Sequence, residues 1–99
     1  MAKFLIEVPH EAEERACALA IDLLFKTGSH WLTHAEWGCM DGEHKGWVIV
    51  EVESKEEARS ILPPIYRAKA KIVKLNRFSM DEIEEILRHH PPAAQQRAG

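Results

Sequence analysis

The sequence predicts a small α+β domain of βαββαβ order with an extra C-terminal helix. Three patterns carry that prediction. Short runs rich in Val, Ile, Phe and Trp alternate apolar and polar residues, as strands do. Between them lie segments whose apolar residues repeat at helical spacing, two of them opened by a Ser with a Glu three residues later. Finally, Asp41-Gly42 stands between two strand-like runs, where a tight hairpin turn needs a residue that accepts positive φ.

Taken in order, Lys3 to Val8 reads as the first strand, ended by Pro9. Glu11 to Thr27 reads as a helix with Cys17, Ile21, Leu24 and Gly28 on one stripe, widened by Ala20 and Phe25. Glu11, Glu13 and Glu14 suit the positive end of its dipole, and Gly28 suits its end. His30 to Cys39 and His44 to Val52 are expected to be strands two and three. Ser54 and Glu57 open a second helix with Ala58, Ile61 and Leu62 facing inward, and Pro63-Pro64 stops it. Ile65 to Lys69 is expected to be a turn or a 3₁₀ segment, and Ala70 to Asn76 the fourth strand. Ser79 and Glu82 open a third helix, with Phe78 and Ile83 placed to form a hydrophobic staple. Residues 1–90 then make one domain, and 91–99, rich in Pro, Ala and Gln, a flexible tail.

This order predicts the ferredoxin-like, split-βαβ arrangement: a four-stranded antiparallel sheet in the order 4-1-3-2 with helices over one face. If Asp41-Gly42 hold the turn, Trp37 lies opposite Gly46, Glu36 opposite Trp47 and Cys39 opposite His44. One face then carries Trp31, Thr33, Ala35, Trp37, Val48, Val50 and Val52 and belongs under the helices. The other carries His30, Leu32, His34, Glu36, Lys45, Trp47, Ile49 and Glu51, joined by Leu5 and Glu7 of the first strand. That second face is too apolar to be left to water and too charged for a dry core. Packing of two copies, sheet against sheet, satisfies both conditions.

The element order, the length and this mixed face resemble the dimeric α+β barrel superfamily over roughly residues 3 to 88, and GSHWLTHAEWGCMDGEHKGW (Gly28 to Trp47) looks like a family signature, matched residue by residue to no characterised member. That superfamily includes muconolactone-isomerase-like proteins, small cofactor-free monooxygenases and small nickel-binding proteins. The resemblance is one of architecture, so it implies a homodimer with an enclosed interior and transfers no catalytic residue.

Within that face, His34 and Glu36 are the leading candidate site. Residues two apart on a strand share a face about 6.7 Å apart, so both can reach one ion. Imidazole plus carboxylate suits a divalent transition metal such as Ni or Zn, with a third ligand from Glu51, Glu7 or the partner chain. Alternatively His34 acts as a general base on an organic substrate, with Trp47 and Leu32 as apolar walls. His30 and His34 stand about 13 Å apart on a regular strand, too far to share one ion. A third reading makes the same face a purely structural dimer interface, in a non-catalytic interaction module.

Other groups are weaker candidates. Cys39 and His44 face each other and would suit a soft metal or an activated thiol, or simply pack as a small apolar residue beside a surface histidine. Cys17 falls on the apolar stripe of the first helix. His10 is placed to help start that helix, and Tyr66 with Arg67 to close over an anion or shape a turn. His89-His90 fit the C-terminal end of the last helix.

Composition bounds the function. The formal net charge is -3 and the basic residues are scattered, which argues against nucleic acid as a partner. No apolar run is long enough to span a membrane, and Met1 to Glu7 lacks a signal peptide's basic start. Two cysteines make no disulfide framework, so a cytoplasmic protein with reduced thiols is expected. There is no phosphate-binding glycine loop, no G-x-S-x-G and no H-E-x-x-H.

Overall fold

A computed structural model describes residues 1–26, 30–90 and 92. The expected helix end at Gly28 and the expected flexible tail at 91 and 93–99 lie outside the described residues. The chain is α+β. Strands β1 (Ala2–Pro9), β2 (Glu36–Trp37), β3 (Lys45–Val52) and β4 (Lys71–Leu75) form one sheet in the order β2-β3-β1-β4, every pair antiparallel. Read from the β4 edge, that order is 4-1-3-2. Helices are α1 (Glu14–Lys26), α2 (Lys55–Ser60), α3 (Pro64–Arg67) and α4 (Met80–His89).

Alternation separates the two faces cleanly. Phe4, Ile6 and Val8 of β1, Val48, Val50 and Val52 of β3 and Ile72 of β4 are buried. They share one core with Leu24 of α1, Leu32, Ala58 of α2, and Leu62. Cross-strand pairing sets the opposite face in three rows. Leu5 stands between Ile49 and Val73; Glu7 between Trp47 and Lys71, with Glu36 beyond Trp47; and Lys3 between Glu51 and Leu75. No helix covers these rows closely enough to bury them: Ile49 is 50% exposed, and Leu5, Trp47 and Leu75 are half-buried.

The hairpin keeps its expected register with different ends. Trp37 pairs with Gly46 and Glu36 with Trp47. Trp37 lies so close over Gly46 that an added Cβ would stand 2.7 Å from its ring carbons. Only glycine leaves that space. The connection is wider than a two-residue turn. Cys39–Asp41 winds as a 3₁₀ turn, Gly42 adopts φ 85°, and the Gly38 carbonyl accepts from both Asp41 and Glu43 N–H. The positive φ is the conformation that glycine takes without steric cost.

The expected second strand is mostly absent. Only Glu36–Trp37 is strand, while His30–His34 is a 3₁₀ helix. The Thr33 hydroxyl donates to the His30 carbonyl at 2.7 Å and closes that turn, so a residue with strand propensity serves a turn instead. The change of winding turns Leu32 away from the open face and into the core, where it is 1% exposed. It also removes the regular-strand spacing on which the separation of His30 from His34 was reckoned.

Capping follows the sequence. Ser54 accepts from Glu57 N–H at 3.1 Å, and the Glu57 carboxylate accepts from Glu53 N–H rather than from Ser54. Ser79 and Glu82 complete a full capping box. The segment expected as a turn or 3₁₀ piece forms a short α-helix at Pro64–Arg67, with Pro at its first position. α4 buries none of its residues, and Phe78, Met80, Ile86 and Leu87 beside or on it are exposed.

Two outcomes test this account. Gly46→Ala should destabilise the chain by about 1–3 kcal/mol through overpacking against Trp37, as read from urea unfolding; adding Trp37→Leu should recover part of the loss. In α4, the Ser79 backbone and then its hydroxyl hold the Glu82 carboxyl below its usual range, and Arg88 and then His89 do the same for Glu85. Such carboxylates stabilise the helix above their unfolded-state values, and that support is lost as pH falls through the lowered folded values. Acidification should therefore reduce amide protection in α4 before β1 and β3, measured by hydrogen exchange. Simultaneous loss everywhere would contradict a locally held helix.

Candidate functional site

The open face gathers part of the expected site. His34, Glu36, Trp47, Leu5 and Ile49 line one cavity of about 370 Å³. His34 reaches it from the end of the 3₁₀ turn and Glu36 from β2, both exposed. Trp47 supplies its wall. The Trp47 indole N–H donates to Glu7 Oε1 at 3.1 Å, and Lys45 Nζ lies 3.6 Å from the other Glu7 oxygen. Both Glu7 oxygens thus have partners in Trp47 and Lys45, which leaves Glu7 poorly placed as a third ligand.

Two expected members do not join them. Leu32 is in the core, as described, and is no wall of this cavity. Glu51 pairs with Lys3 across β1, two rows from the Trp47 row and so about 13 Å along the sheet. His30 stacks on Trp31 with ring centroids 4.9 Å apart and lines no part of the cavity. The remaining polar face is an imidazole and a carboxylate at the mouth of an apolar hollow. That set can bind and orient a small organic molecule, and an imidazole there can exchange a proton with it.

Tyr66 and Arg67 serve the fold. Arg67 donates to the carbonyls of Leu62 at 2.8 Å and Ser60 at 3.2 Å, and Arg59 to those of Ala70 at 3.0 Å and Arg67. These guanidinium groups satisfy the carbonyls left open after α2. Burial pushes the Tyr66 phenol above its usual range as it packs against the core. His89 closes on Glu85 at 2.8 Å, an exposed pair within one turn of α4.

The second constellation lies on the helix side of the sheet, at the end of the hairpin. Cys17 of α1 and Cys39 form a disulfide, with Cα atoms 6.8 Å apart. This overturns the expectation of reduced thiols. His10 Nε2 lies 3.0 Å from Cys39 Sγ, and the donor atoms of His10, Cys17 and Cys39 all fall within 4.8 Å of one another. Among the described residues this is the one group of three or more such donors close enough to hold an ion. The His10 and His44 rings are 5.7 Å apart, and the His10 backbone N–H donates to the His44 carbonyl at 3.1 Å.

The signal for this cluster was in the register. β1 pairs with β3 as Val8 with Gly46 and Pro9 with Lys45, so His10 comes next to His44. Cys39, two residues after Trp37, opens the 3₁₀ turn of the hairpin, and its Sγ meets His10 there. His10, His44 and Cys39 thus come together at the end of the hairpin, where the disulfide ties on α1. Reading His10 as a helix-start residue and Cys17 as core concealed it.

Comparison with protein-family models, with curated proteins and with solved structures finds no match to this chain. No helix among the described residues is long and apolar enough to cross a membrane.

The disulfide closes a 22-residue separation between α1 and the hairpin. Reducing it in the presence of a metal chelator should cost about 3 kcal/mol. Urea unfolding with and without reductant checks this, and an unchanged midpoint would show that the link does not constrain the unfolded chain.

Proposed function

We propose that the chain is a ligand-binding protein that works as a homodimer, two open sheet faces closing into an α+β barrel on the ferredoxin-like pattern. The observation that carries this reading is the uncovered row Ile49–Leu5–Val73 beside the His34, Glu36 and Trp47 cavity. A solvated face has no use for such a row, and an enclosed chamber does.

Size bears on how the dimer closes. Four strands about 4.8 Å apart and up to eight residues long offer roughly 500 Å². A standard interface needs about 800 Å² per partner. The difference calls for α4, whose apolar residues Ile86 and Leu87 are exposed. Its acids Asp81, Glu82, Glu84 and Glu85 complement Lys3 and Arg77, which line a hollow at the Leu75 end of the open face. The α4 helix of one copy resting on the sheet of the other uses both features.

The ligand is a small organic molecule with an apolar or aromatic part against Trp47 and a polar group at His34 and Glu36. A Ni or Zn ion on His34 and Glu36 is the lesser reading, because Glu7 is occupied by Trp47 and Lys45 and Glu51 lies two rows away. If the molecule is a substrate, His34 is the group to take its proton. Should the face serve only to join two copies, the chain is a structural module.

Sedimentation should show a dimer at micromolar concentration, and Ile49→Glu a folded monomer. An apolar anionic dye, anilinonaphthalene sulfonate, should bind the wild-type dimer and quench Trp47. His34→Ala should weaken that binding at least severalfold and keep the dimer. A folded wild-type monomer would overturn the barrel. A dimer with no dye binding and no effect of His34→Ala would leave the interface module in its place.

A further inference from the structure

We propose that His10, Cys17, Cys39 and His44 form a thiol-gated zinc site, of which the disulfide is the closed state. The site is separate from the open face and does not depend on the reading given to it. Zinc takes four nitrogen and sulfur donors in a tetrahedron, and two cysteines with two histidines are a complete set. Three of the donors already lie within 4.8 Å of one another. Two thiolates on one zinc stand about 3.7 Å apart, given a Zn–S bond of about 2.3 Å. Cα atoms 6.8 Å apart allow that opening with side-chain rotation and little movement of backbone.

The orientation of His10 favours a ligand role. Its Nδ1 lies 2.9 Å from the Glu11 carbonyl, which can only accept, so Nδ1 carries the hydrogen. In the neutral ring the lone pair is then on Nε2, the nitrogen aimed at the sulfurs. A backbone carbonyl fixing one ring nitrogen while the other binds metal is the usual support of a ligand histidine. The His10 ring also lies 5.9 Å from Trp37 and 5.7 Å from His44. Those two neighbours hold the buried side-chain nitrogens without a hydrogen-bond partner among the described residues, Trp37 Nε1 and His44 Nδ1. His44 lies outside the group of three, so its Nδ1 would complete the set by a turn of its ring toward the ion.

Access is also present. Glu13, Glu14, Cys17, Cys39 and His44 border a surface cavity of about 260 Å³, and both cysteines are half-buried. The two carboxylates favour approach of a cation. Opening needs an external dithiol. One of its thiolates attacks a cysteine sulfur, breaking the S–S bond and forming a mixed disulfide. Its second thiolate resolves that bond, leaving the dithiol oxidised to a disulfide and Cys17 and Cys39 as thiols. Zinc then binds both as thiolates, and two protons pass to solvent. A disulfide oxidant reverses the exchange and expels the ion. In either state α1 remains tied to the hairpin, first by a covalent bond and then by coordination.

The test uses the full chain, purified without a tag and dialysed against zinc alone. A phosphine, which becomes its oxide with the oxygen of water and leaves two thiols, serves as reductant. Reduced protein should hold about one zinc per chain, and oxidised protein below about 0.1. X-ray absorption should show two sulfurs in the zinc shell, and glutathione disulfide should release the ion to a metallochromic dye. His10→Gln, which keeps both cysteines, should weaken zinc binding at least tenfold. If reduction unfolds the chain, zinc should restore its circular dichroism. Reduced, folded protein without zinc, a shell of only nitrogen and oxygen, or failure of zinc to refold an unfolded reduced chain would each overturn the proposal.

Discussion

Trp37 lies across Gly46, and the phase of the sheet follows from that contact. A large ring on β2 needs a gap in β3 to lie over, and a strand offers a gap only at glycine. Once Trp37 and Gly46 are paired, two-residue alternation sends Val48, Val50 and Val52 toward the helices and Trp47 and Ile49 away from them. β1 inherits the same phase through Val8 opposite Gly46, so Ile6 and Phe4 are buried while Glu7 and Leu5 are not. A slip of β3 by one residue would place Lys45, Trp47 and Glu51 in the core and Val48, Val50 and Val52 in water. The register is therefore held by burial along its whole length, with the glycine as its pivot.

Both chemical centres are consequences of that phase. On the uncovered side, alternation collects Glu36, Trp47 and Glu7 into one row, and His34 reaches them from the preceding turn. On the covered side, the chain just past Gly46 and Trp37 brings His44, His10 and Cys39 together, with Cys17 bonded to Cys39 from α1. One centre is an open hollow with a polar rim, suited to a molecule that comes and goes. The other is a compact set of sulfur and nitrogen donors, suited to a bond that is made or exchanged. They lie on opposite faces of a single sheet, within the span of one hairpin.

What the sequence made legible was whatever depends on periodicity. The α+β class, the hairpin pairing, the assignment of β1 and β3 faces and the caps at Ser54 and Ser79 are all local patterns or direct consequences of them. What escaped depends on choices that propensity does not decide. Trp31 and Thr33 suggest a strand, yet Leu32 has a place in the core and Thr33 a carbonyl to bond, and these fold His30–His34 into a turn. That one substitution of winding moved Leu32 from the site to the core and left His30 beside Trp31. The disulfide escaped for a different reason. Cys17 and Cys39 are brought together by the docking of α1, a tertiary event with no signature in spacing.

The shortness of β2 also bears on how the chain keeps to itself. A full-length edge strand would present a row of free N–H and C=O groups to any passing chain and so invite endless sheet extension. Here the edge strand is two residues long, and the 3₁₀ turn packs against β3 where further strand would have been. At the far edge, β4 carries the exposed charges Lys71 and Lys74. Both flanks are thus blunted against fibre growth. The exposed apolar residue Ile49 lies instead on the broad face of the sheet, away from both edges.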